Sequence, residues 1–369
     1  MPTPSFTIQD RVATLAQEAG FSKAGIAPIP AVEDEDYPEL GHFEPWIERG
    51  SAGEMEYLKR RDAANRLLRS SLRIAVPWAR SVIVCAANYN ADAPKSIDPA
   101  SAETGWIARY AWTGYSEAQP SDYHDVLLKR LKGLEQRLQQ ALGPFAARCY
   151  VDTGPLVERI YAKYAGIGWI GKNTCIIDQD LGSWLFLGVI LTDLELPSAN
   201  PVRVAEDRCG SCTQCIDACP TGALVAPYQM DASLCIAYLT IEKRGPIAEP
   251  LRSKMGRQVF GCDICQDVCP WNRRAPISGD AELAVRSELV NPALFWLAEL
   301  DAAHFRSLFR QSPVQRAKLS GFMRNVAIAM GNSGLASYLP KLRDWAGSPD
   351  RVLAEAAQWA IERIKKPLP

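Results

Sequence analysis

The chain has 369 residues, of which 47% are hydrophobic and 22% are charged, and its formal net charge is -1. This composition predicts a globular protein of several domains and excludes an intrinsically disordered one. The near-zero net charge gives no overall attraction to a polyanion, so any nucleic-acid site must be a local basic patch. We expect no membrane span, because the longest apolar run, 181–191, is short and contains two glycines and a serine. No secretory signal is visible either, which predicts a cytoplasmic protein.

The first 200 residues are predicted to mix helices with strands. Helices are expected where apolar residues recur every three or four positions after a capping residue, and strands where short apolar runs stand between turn residues. This mixture predicts an α/β or α+β fold for a first domain, 1–204, whose sheet order cannot be predicted. The predicted elements, in chain order, are a helix capped by Thr7, a strand at 81–87, a helix capped by Ser121 or Asp122 and ended by Gly143, a strand at 145–151 and two strands within 175–192.

The last segment, 276–369, is predicted to be helical. Ser348 and Pro349 are expected to cap a helix, and the helical stretches 324–330 and 335–345 precede it. This arrangement resembles one helical repeat of the HEAT type. A single repeat cannot bury its own apolar face, so it must pack on the rest of the chain.

Between these segments, residues 205–275 hold eight of the eleven cysteines. The first run, Cys209 to Pro220, has the spacing C-x2-C-x2-C-x3-C-P of bacterial ferredoxins. The second run, Cys262 to Pro270, has the same ending but is one cysteine short, and Cys235 stands alone between the two runs. In a reducing compartment, clustered thiols are expected to bind metal rather than form disulfides. The segment is therefore predicted to be a ferredoxin-like domain with two [4Fe-4S] clusters.

The fourth cysteine of each ferredoxin run binds the other cluster. This rule assigns Cys209, Cys212, Cys215 and Cys269 to the first cluster, and Cys219, Cys235, Cys262 and Cys265 to the second. Zinc is the alternative, although zinc sites usually pair two C-x2-C knuckles.

The remaining cysteines have apolar neighbours and are predicted to be core residues: Cys85, Cys149 and Cys175. An electron carrier needs little beyond the clusters, so the long flanking segments predict an enzyme with its own electron path.

The sequence around the cysteines resembles epoxyqueuosine reductases over almost the whole chain. That family uses cobalamin to remove the epoxide oxygen of epoxyqueuosine at the wobble position of tRNA. The resemblance therefore implies two clusters, cobalamin, a tRNA substrate and an external electron donor, and we expect a monomer. The matching stretches are GEMEYL at 53–58, SDYHDVL at 121–127, VDTGPLVER at 151–159, AGIGWIGKNT at 165–174, GSWLFLG at 182–188, CIAYLTIE at 235–242 and CPWN at 269–272.

Asp152 is the predicted catalytic residue. It directly follows a predicted strand, where ligand-contacting residues collect in α/β sheets, but its position fits a helix or turn cap equally well. The resemblance implies that it is the general acid, which requires a raised pKa. No histidine is expected on cobalt, because the D-x-H-x-x-G signature is missing. The resemblance also implies cobalamin contacts from Arg69, Tyr123, His124, Lys172, Asn173 and Ser183.

The segment 302–325 contains five basic residues and no acidic one, which predicts a track for tRNA phosphates. Its members are Arg306, Arg310, Arg316, Lys318 and Arg324, and Arg273 and Arg274 extend it.

Two other functions fit part of the sequence. A corrinoid-dependent reductive dehalogenase shares the cofactors, but the missing export signal and the basic segment disfavour it. A non-catalytic electron-transfer subunit would carry the clusters without cobalamin.

Overall fold

The computed structural model describes residues 7–31, 34–113, 122–197 and 204–366, so the predicted cap Ser121 lies outside it. The described residues form two compact units. The first unit lies within Met1–Asn90, Tyr123–Cys212 and Pro270–Asp280, and the second within Ala91–Asp122, Thr213–Cys269 and Ala281–Pro369. Across these residues, no helix has both the length and the apolar character that crossing a membrane requires.

Helices and strands both occur in each unit. The strands are β1 Lys23–Pro28, β2 Ser81–Asn88, β3 Trp106–Ile107, β4 Ala147–Tyr150, β5 Trp169–Ile170, β6 Ile176–Ile177, β7 Leu185–Thr192, β8 Leu224–Ala226, β9 Gln229–Met230 and β10 Gln258–Phe260. The α-helices are α1 Ile8–Glu18, α2 Phe43–Glu48, α3 Leu72–Ala75, α4 Tyr123–Leu142, α5 Glu158–Tyr164, α6 Gln214–Asp217, α7 Ile236–Ile241, α8 Glu249–Arg252, α9 Ile264–Asp267, α10 Leu294–Ala298, α11 Ala302–Leu308, α12 Lys318–Ser333, α13 Leu339–Ala346 and α14 Arg351–Lys365.

A four-stranded sheet in the order β1-β2-β7-β4 organises the first unit, and all of its neighbouring strands are antiparallel. All eight residues of β2 are buried, which agrees with its continuous apolar sequence. Helix α4 packs on β7, where Gly188 leaves room for Leu131: a Cβ at that glycine would lie 2.9 Å from Leu131 Cδ1. Strand β4 forms one edge of the sheet, so the chain leaves the sheet at this edge and continues directly into Asp152.

Several predicted elements of the first unit are confirmed. Thr7 caps α1 in a capping box with Asp10, whose carboxylate accepts the Thr7 N–H. A leucine stripe on α4 is buried and consists of Leu127, Leu131, Leu134 and Leu138, and the predicted Gly143 follows the helix with a φ of +89°. The two strands within 175–192 are present, but they do not pair with each other: β6 pairs with β5, and β7 lies between β2 and β4.

The second unit is built around α12, which packs against α10, α14 and β10. The predicted C-terminal helices are present. The cap of α14 differs from the prediction, because Asp350 rather than Ser348 and Pro349 accepts the N–H groups of Val352 and Leu353. The segment 91–122, predicted within the first domain, belongs to this unit, where β3 pairs in parallel with β10.

Candidate active site and cluster-binding loops

Asp152 lies in a tight turn immediately after β4. Its φ is +55°, and the N–H of Thr153 donates to the carbonyl of Val151 over 2.6 Å, which closes a γ-turn around the aspartate. Residues other than glycine seldom adopt this left-handed conformation, which costs on the order of 1–3 kcal/mol. The fold therefore maintains a strained backbone at the residue that the sequence predicts to be the acid.

Two residues from the start of α4 contact the Asp152 carboxylate. The phenol of Tyr123 donates a hydrogen bond to Oδ2, and Nε2 of His124 lies 3.6 Å from the same oxygen. The Tyr123 ring stacks on Phe186 of β7 with a centroid distance of 4.1 Å and an interplanar angle of 3°. This stacking fixes the phenol, while the Asp152 side chain keeps 52% of its surface exposed. An accessible carboxylate is thus held by a tyrosine and faced by a histidine.

Glu158, the first residue of α5, is a second carboxyl near this site that sequence reasoning missed. Its Oε1 is buried and has no hydrogen-bond partner among the described residues. Burial, which is the largest cause, and the charge of Asp152 together raise the pKa of Glu158 to about 7, although Arg69 and Arg159 oppose the shift. The only sequence signal was its place in the VDTGPLVER motif, because a glutamate in a first helical turn is usually solvated.

Arg69 is a predicted cofactor contact that the structure places near these carboxyl groups. Its guanidinium donates to the Leu156 carbonyl over 3.1 Å and lies 5.8 Å from the centre of the Tyr57 ring. Because it also opposes the rise in the Glu158 pKa, it supplies positive charge close to the buried glutamate. Arg69, Tyr123 and His124 are therefore brought into the neighbourhood of Asp152 from separate parts of the sequence.

The other predicted cofactor contacts bind protein groups instead. Nζ of Lys172, at the tip of the β5–β6 hairpin, donates to the carbonyls of Gly210 and Cys212 in the first cysteine loop, over 2.5 and 3.0 Å. Asn173 is buried and accepts the N–H of Cys175. Ser183 is also buried, and both its N–H and its Oγ bond to the Asn272 amide, over 2.7 and 2.8 Å. Both side chains are therefore engaged with protein groups, and their role as cobalamin contacts stays a prediction.

The eight cysteines of the two runs and of the segment between them, all within the described residues, form no disulfide bond. In the second unit, burial raises the pKa of the Cys262 thiol well above its usual range, and the neighbouring thiols of Cys235 and Cys219 add to the rise. These are three of the four ligands predicted for the second cluster. Helices α6 and α9, one in each cysteine run, pack against each other. A donor set of thiols alone, close enough to interact, suits an iron–sulfur cluster. In the part of the chain that the structure describes, no three Cys, His, Asp or Glu side chains are arranged to hold a single metal ion.

The predicted tRNA track is only partly exposed. Arg306, Arg310, Arg316 and Lys318 are exposed in the second unit, and Arg273 and Arg274 are exposed in the first. Arg316 also forms a two-bond ion pair with Glu242, both bonds being 3.0 Å. Arg324 is only 1% exposed, and its guanidinium donates to the carbonyls of Leu239, Lys243 and Gly245. The prediction for Arg324 is therefore wrong: it is buried with α12 and is not accessible to phosphate.

Comparison with known proteins supplies two family matches. Residues 208–272 match the model of the 4Fe-4S double cluster binding domain, and residues 69–153 match the model named epoxyqueuosine reductase QueG, DUF1730. The epoxyqueuosine reductase of Xanthomonas campestris pv. campestris is 38% identical over 95% of this chain and 94% of its own length. That of Pseudomonas aeruginosa is 38% identical over 94% and 92%.

The chain belongs to the epoxyqueuosine reductase family. Solved structures of the family agree over nearly the whole chain. An epoxyqueuosine reductase bound to an epoxyqueuosine-modified tRNA-Tyr stem loop has a TM-score of 0.81 at 30% identity, covering 97% of this chain and 90% of that one. The Bacillus subtilis epoxyqueuosine reductase, with its aspartate-bearing catalytic loop swung out of the active site, has a TM-score of 0.81 at 29% identity, again covering 97% and 90%.

These matches confirm the predicted family and the two-cluster domain. The match to the 4Fe-4S model decides for iron–sulfur clusters, and against zinc, in the cysteine runs. Relatives that match over almost the whole length are epoxyqueuosine reductases. The two alternative functions, a dehalogenase and an electron-transfer subunit, are therefore set aside.

Proposed function

We propose that this protein reduces epoxyqueuosine to queuosine in tRNA, with cobalamin as its catalytic cofactor and electrons delivered through two [4Fe-4S] clusters. The observation that carries the proposal is the strained turn at Asp152, where an exposed carboxylate is held by Tyr123 and faced by His124. The corresponding feature of the Bacillus subtilis relative is a catalytic loop that carries an aspartate.

The residues around Asp152 suit a cofactor that needs no protein ligand on its metal. His124 is the histidine of this site, and it faces the Asp152 carboxylate. The exposed carboxylate lies beside a buried aromatic stack of Tyr123, Phe186 and Tyr89, which fixes the position of the Tyr123 phenol. Cobalamin, when bound, supplies a low-potential centre that can attack an epoxide carbon.

Conversion of an epoxide to an alkene and water consumes two electrons and two protons. Asp152 is proposed to protonate the oxygen as the ring opens, because a carboxyl group is an effective donor when it is protonated and within hydrogen-bond reach. Tyr123 holds the carboxyl group in position through its hydrogen bond. Glu158, whose pKa is raised to about 7, is half protonated near neutral pH and can resupply the second proton. Arg69 supplies positive charge beside the two carboxyl groups.

The remaining assignments belong to the same proposal. The first cluster is held by Cys209, Cys212, Cys215 and Cys269, and the second by Cys219, Cys235, Cys262 and Cys265. The exposed cations of the second unit, together with Arg273, contact tRNA phosphates, as their charge and lack of nearby acids on 302–325 support. The C-terminal helices act as one HEAT-like unit. The enzyme is a cytoplasmic monomer that takes electrons from an external donor.

The test is the single-turnover formation of queuosine by chemically reduced Asp152→Asn enzyme, loaded with clusters and cobalamin. Asparagine retains the shape but cannot donate an acidic proton, so we expect the rate to fall by a factor on the order of 100 or more. Binding of tRNA and iron content should not change. Asp125→Asn, an exposed aspartate in the first turn of α4, is the matched control and should react at the wild-type rate. Wild-type turnover by Asp152→Asn would show that another group is the acid.

A further inference from the structure

A short hairpin joins two cysteines that are assigned to the second cluster. Strands β8 and β9 lie between Cys219 and Cys235. The Asp231 N–H closes the hairpin by donating to the Ala223 carbonyl over 2.8 Å. At its beginning, the Gly222 N–H donates to the Cys219 carbonyl over 3.2 Å. Strand β8 also packs against α6, the short helix of the first cysteine run, so the hairpin is fixed to the cluster-binding part of the second unit.

The outer face and the tip of this hairpin present apolar side chains to solvent. Val225 of β8 is 57% exposed, whereas its neighbour Leu224 is only 5% exposed. Pro227 and Tyr228 form the two-residue turn, where Pro227 is exposed and Tyr228 is 43% exposed. Val225, Pro227 and Tyr228 are together called the hairpin patch. The patch belongs to the segment that connects two assigned cluster ligands.

Tyr228 is an unusual residue for its place in this turn. Its φ is +65°, a left-handed conformation for which turns normally use glycine or asparagine. The backbone of a tyrosine is strained there, and the exposed ring gains little from burial. Strained residues of this kind cluster at functional sites. Tyrosine is also enriched where proteins contact one another, so the patch has the character of a contact surface.

The charge around the hairpin patch favours a basic partner and disfavours RNA. Residues 213–241, which contain the hairpin and three of the cluster cysteines, include no lysine or arginine, and their acidic residues are Asp217 and Asp231. A bound cluster adds negative charge, because its four thiolate ligands outweigh the charge of the iron–sulfur core. RNA binding depends on cations that neutralise phosphates, and this segment supplies none. Complementary charge instead selects a protein with basic side chains on its contact face.

The size of the hairpin patch favours a transient partner over a second copy of the chain. A stable protein interface buries on the order of 800 Å² on each partner, which takes roughly 20–30 residues a side. Three residues on a short hairpin are far from that area. Weak electron-transfer complexes form the smallest class of specific interfaces, and they dissociate after each exchange. The patch has the size that such a brief contact beside a cluster requires.

We propose that the hairpin patch is the docking surface for the external electron donor, a one-electron carrier protein whose exposed redox centre is ringed by basic side chains. The carrier loses one electron and the second cluster gains it, so two successive dockings supply the two electrons that one epoxide consumes. The inference rests on the proposed function through the assignment of Cys219 and Cys235 as ligands of that cluster. It adds the place at which electrons enter and the charge of the partner that brings them.

The experiment measures electron exchange between the reconstituted enzyme and cytochrome c, a one-electron carrier whose haem edge is ringed by lysines. Enzyme reduced with dithionite and then freed of it is mixed anaerobically with ferric cytochrome c, and the haem absorbance is followed by stopped flow. The variant is Val225→Thr with Tyr228→Asn: threonine keeps the branched shape in β8, and asparagine tolerates the positive φ. We expect the second-order rate constant to fall about tenfold or more, as for the loss of an aromatic contact residue. Iron content and reduction by dithionite, which needs no docking surface, should not change.

Two controls separate the patch from exposure and from charge. Phe295→Ser removes an aromatic residue of α10 in the same unit that is 53% exposed, and it should leave the rate constant at the wild-type value. The wild-type rate constant should fall as the salt concentration rises, because opposite charges steer the encounter. Asp217→Asn should weaken that salt dependence. A wild-type rate constant that rises with salt would show that the surface repels a basic carrier, and the inference would fail.

The remaining outcomes are equally decisive. A wild-type rate constant in the double variant with full iron content overturns the inference, and if the double variant loses iron, Tyr228→Asn alone is judged by the same criterion. A parallel loss of tRNA affinity would make the patch an RNA surface, and conversion of a wild-type dimer into a monomer would make it a self-interface. The haem signal does not depend on queuosine formation, so failure of the proposed function is seen separately. If Cys235→Ala keeps both clusters, the ligand assignment on which the inference rests is wrong.

Discussion

Arg324 provides a sharp test of the difference between a structural cation and a tRNA contact. We predict that Arg324→Met strongly destabilises the second unit, because the buried guanidinium donates to the buried carbonyl of Leu239 and to the partly buried carbonyls of Lys243 and Gly245 over 2.7 to 2.9 Å. Leaving a buried acceptor unsatisfied costs about 1–3 kcal/mol. Partial compensation by water and by the second lone pair of each carbonyl brings the total to about 3–6 kcal/mol.

The assay is thermal unfolding followed by circular dichroism, with Arg310→Met as the control for loss of an exposed cation. For a unit of this size, a loss of 1 kcal/mol lowers the melting temperature by roughly 2–4 °C, so Arg324→Met should melt about 6–24 °C below the wild type. Arg310→Met should stay within about 2 °C of it. If Arg324→Met kept the wild-type melting temperature but lost tRNA affinity, the burial argument would fail and Arg324 would be a phosphate contact.

Three further predictions concern the clusters, the tRNA surface and the buried glutamate. Cys235→Ala should reduce the iron content from about eight to about four per chain, and two intact clusters in that variant would disprove the crossed ligand scheme. Charge reversal at Arg316 and Lys318 should weaken tRNA binding and reduce the salt dependence of the affinity by about one unit of slope per lost contact, and an unchanged slope would exclude them from the tRNA site. The Glu158 pKa is raised from 4.5 to about 7 by folding, so wild-type stability should fall as the pH rises from 4.5 through 7, by on the order of 3 kcal/mol. Burial also raises the pKa values of Asp263 and Asp267, so Glu158→Gln should reduce this fall by that amount rather than remove it, in urea unfolding measured at pH 5 and pH 8; equal pH slopes in the two proteins would contradict the prediction.

The elements that could be predicted are those whose signals are local in sequence. The capping box at Thr7, the leucine stripe of α4 and the apolar run of β2 each lie within one segment, and the structure contains all three. The cysteine runs are equally local, because their spacing is fixed by the distance that a short turn can span between ligands of one cluster. The two-cluster domain could therefore be predicted before any tertiary structure was known.

What could not be predicted depends on contacts between distant residues. The pairing of β3 with β10 joins two short strands about 150 residues apart, and neither has a periodicity that would reveal its partner. Arg324 carries the same charge as its exposed neighbours on 302–325, and only the packing of α12 determines that it is buried. The bonds from the Lys172 ammonium to the first cysteine loop join residues about 40 positions apart, and the resemblance that implied a cobalamin contact for Lys172 gave no sign of them.

In the proposed function, one continuous stretch of the first unit carries both the carboxyl groups assigned to proton delivery and the hairpin that contacts the first cysteine loop. Asp152 and Glu158 stand at the beginning of this stretch, α5 follows, and Lys172 of the β5–β6 hairpin contacts the first cysteine loop twenty residues after Asp152. Formation of the alkene requires equal numbers of electrons and protons, so the two supplies must be matched within each turnover. A rigid connection of one short helix and one closed hairpin keeps the carboxyl pair and the Cys209 loop in fixed register. Substitutions in the buried face of α5, such as Ile160→Ala, should consequently disturb both the acid and the cysteine loop, whereas substitutions at either end should affect only one of them.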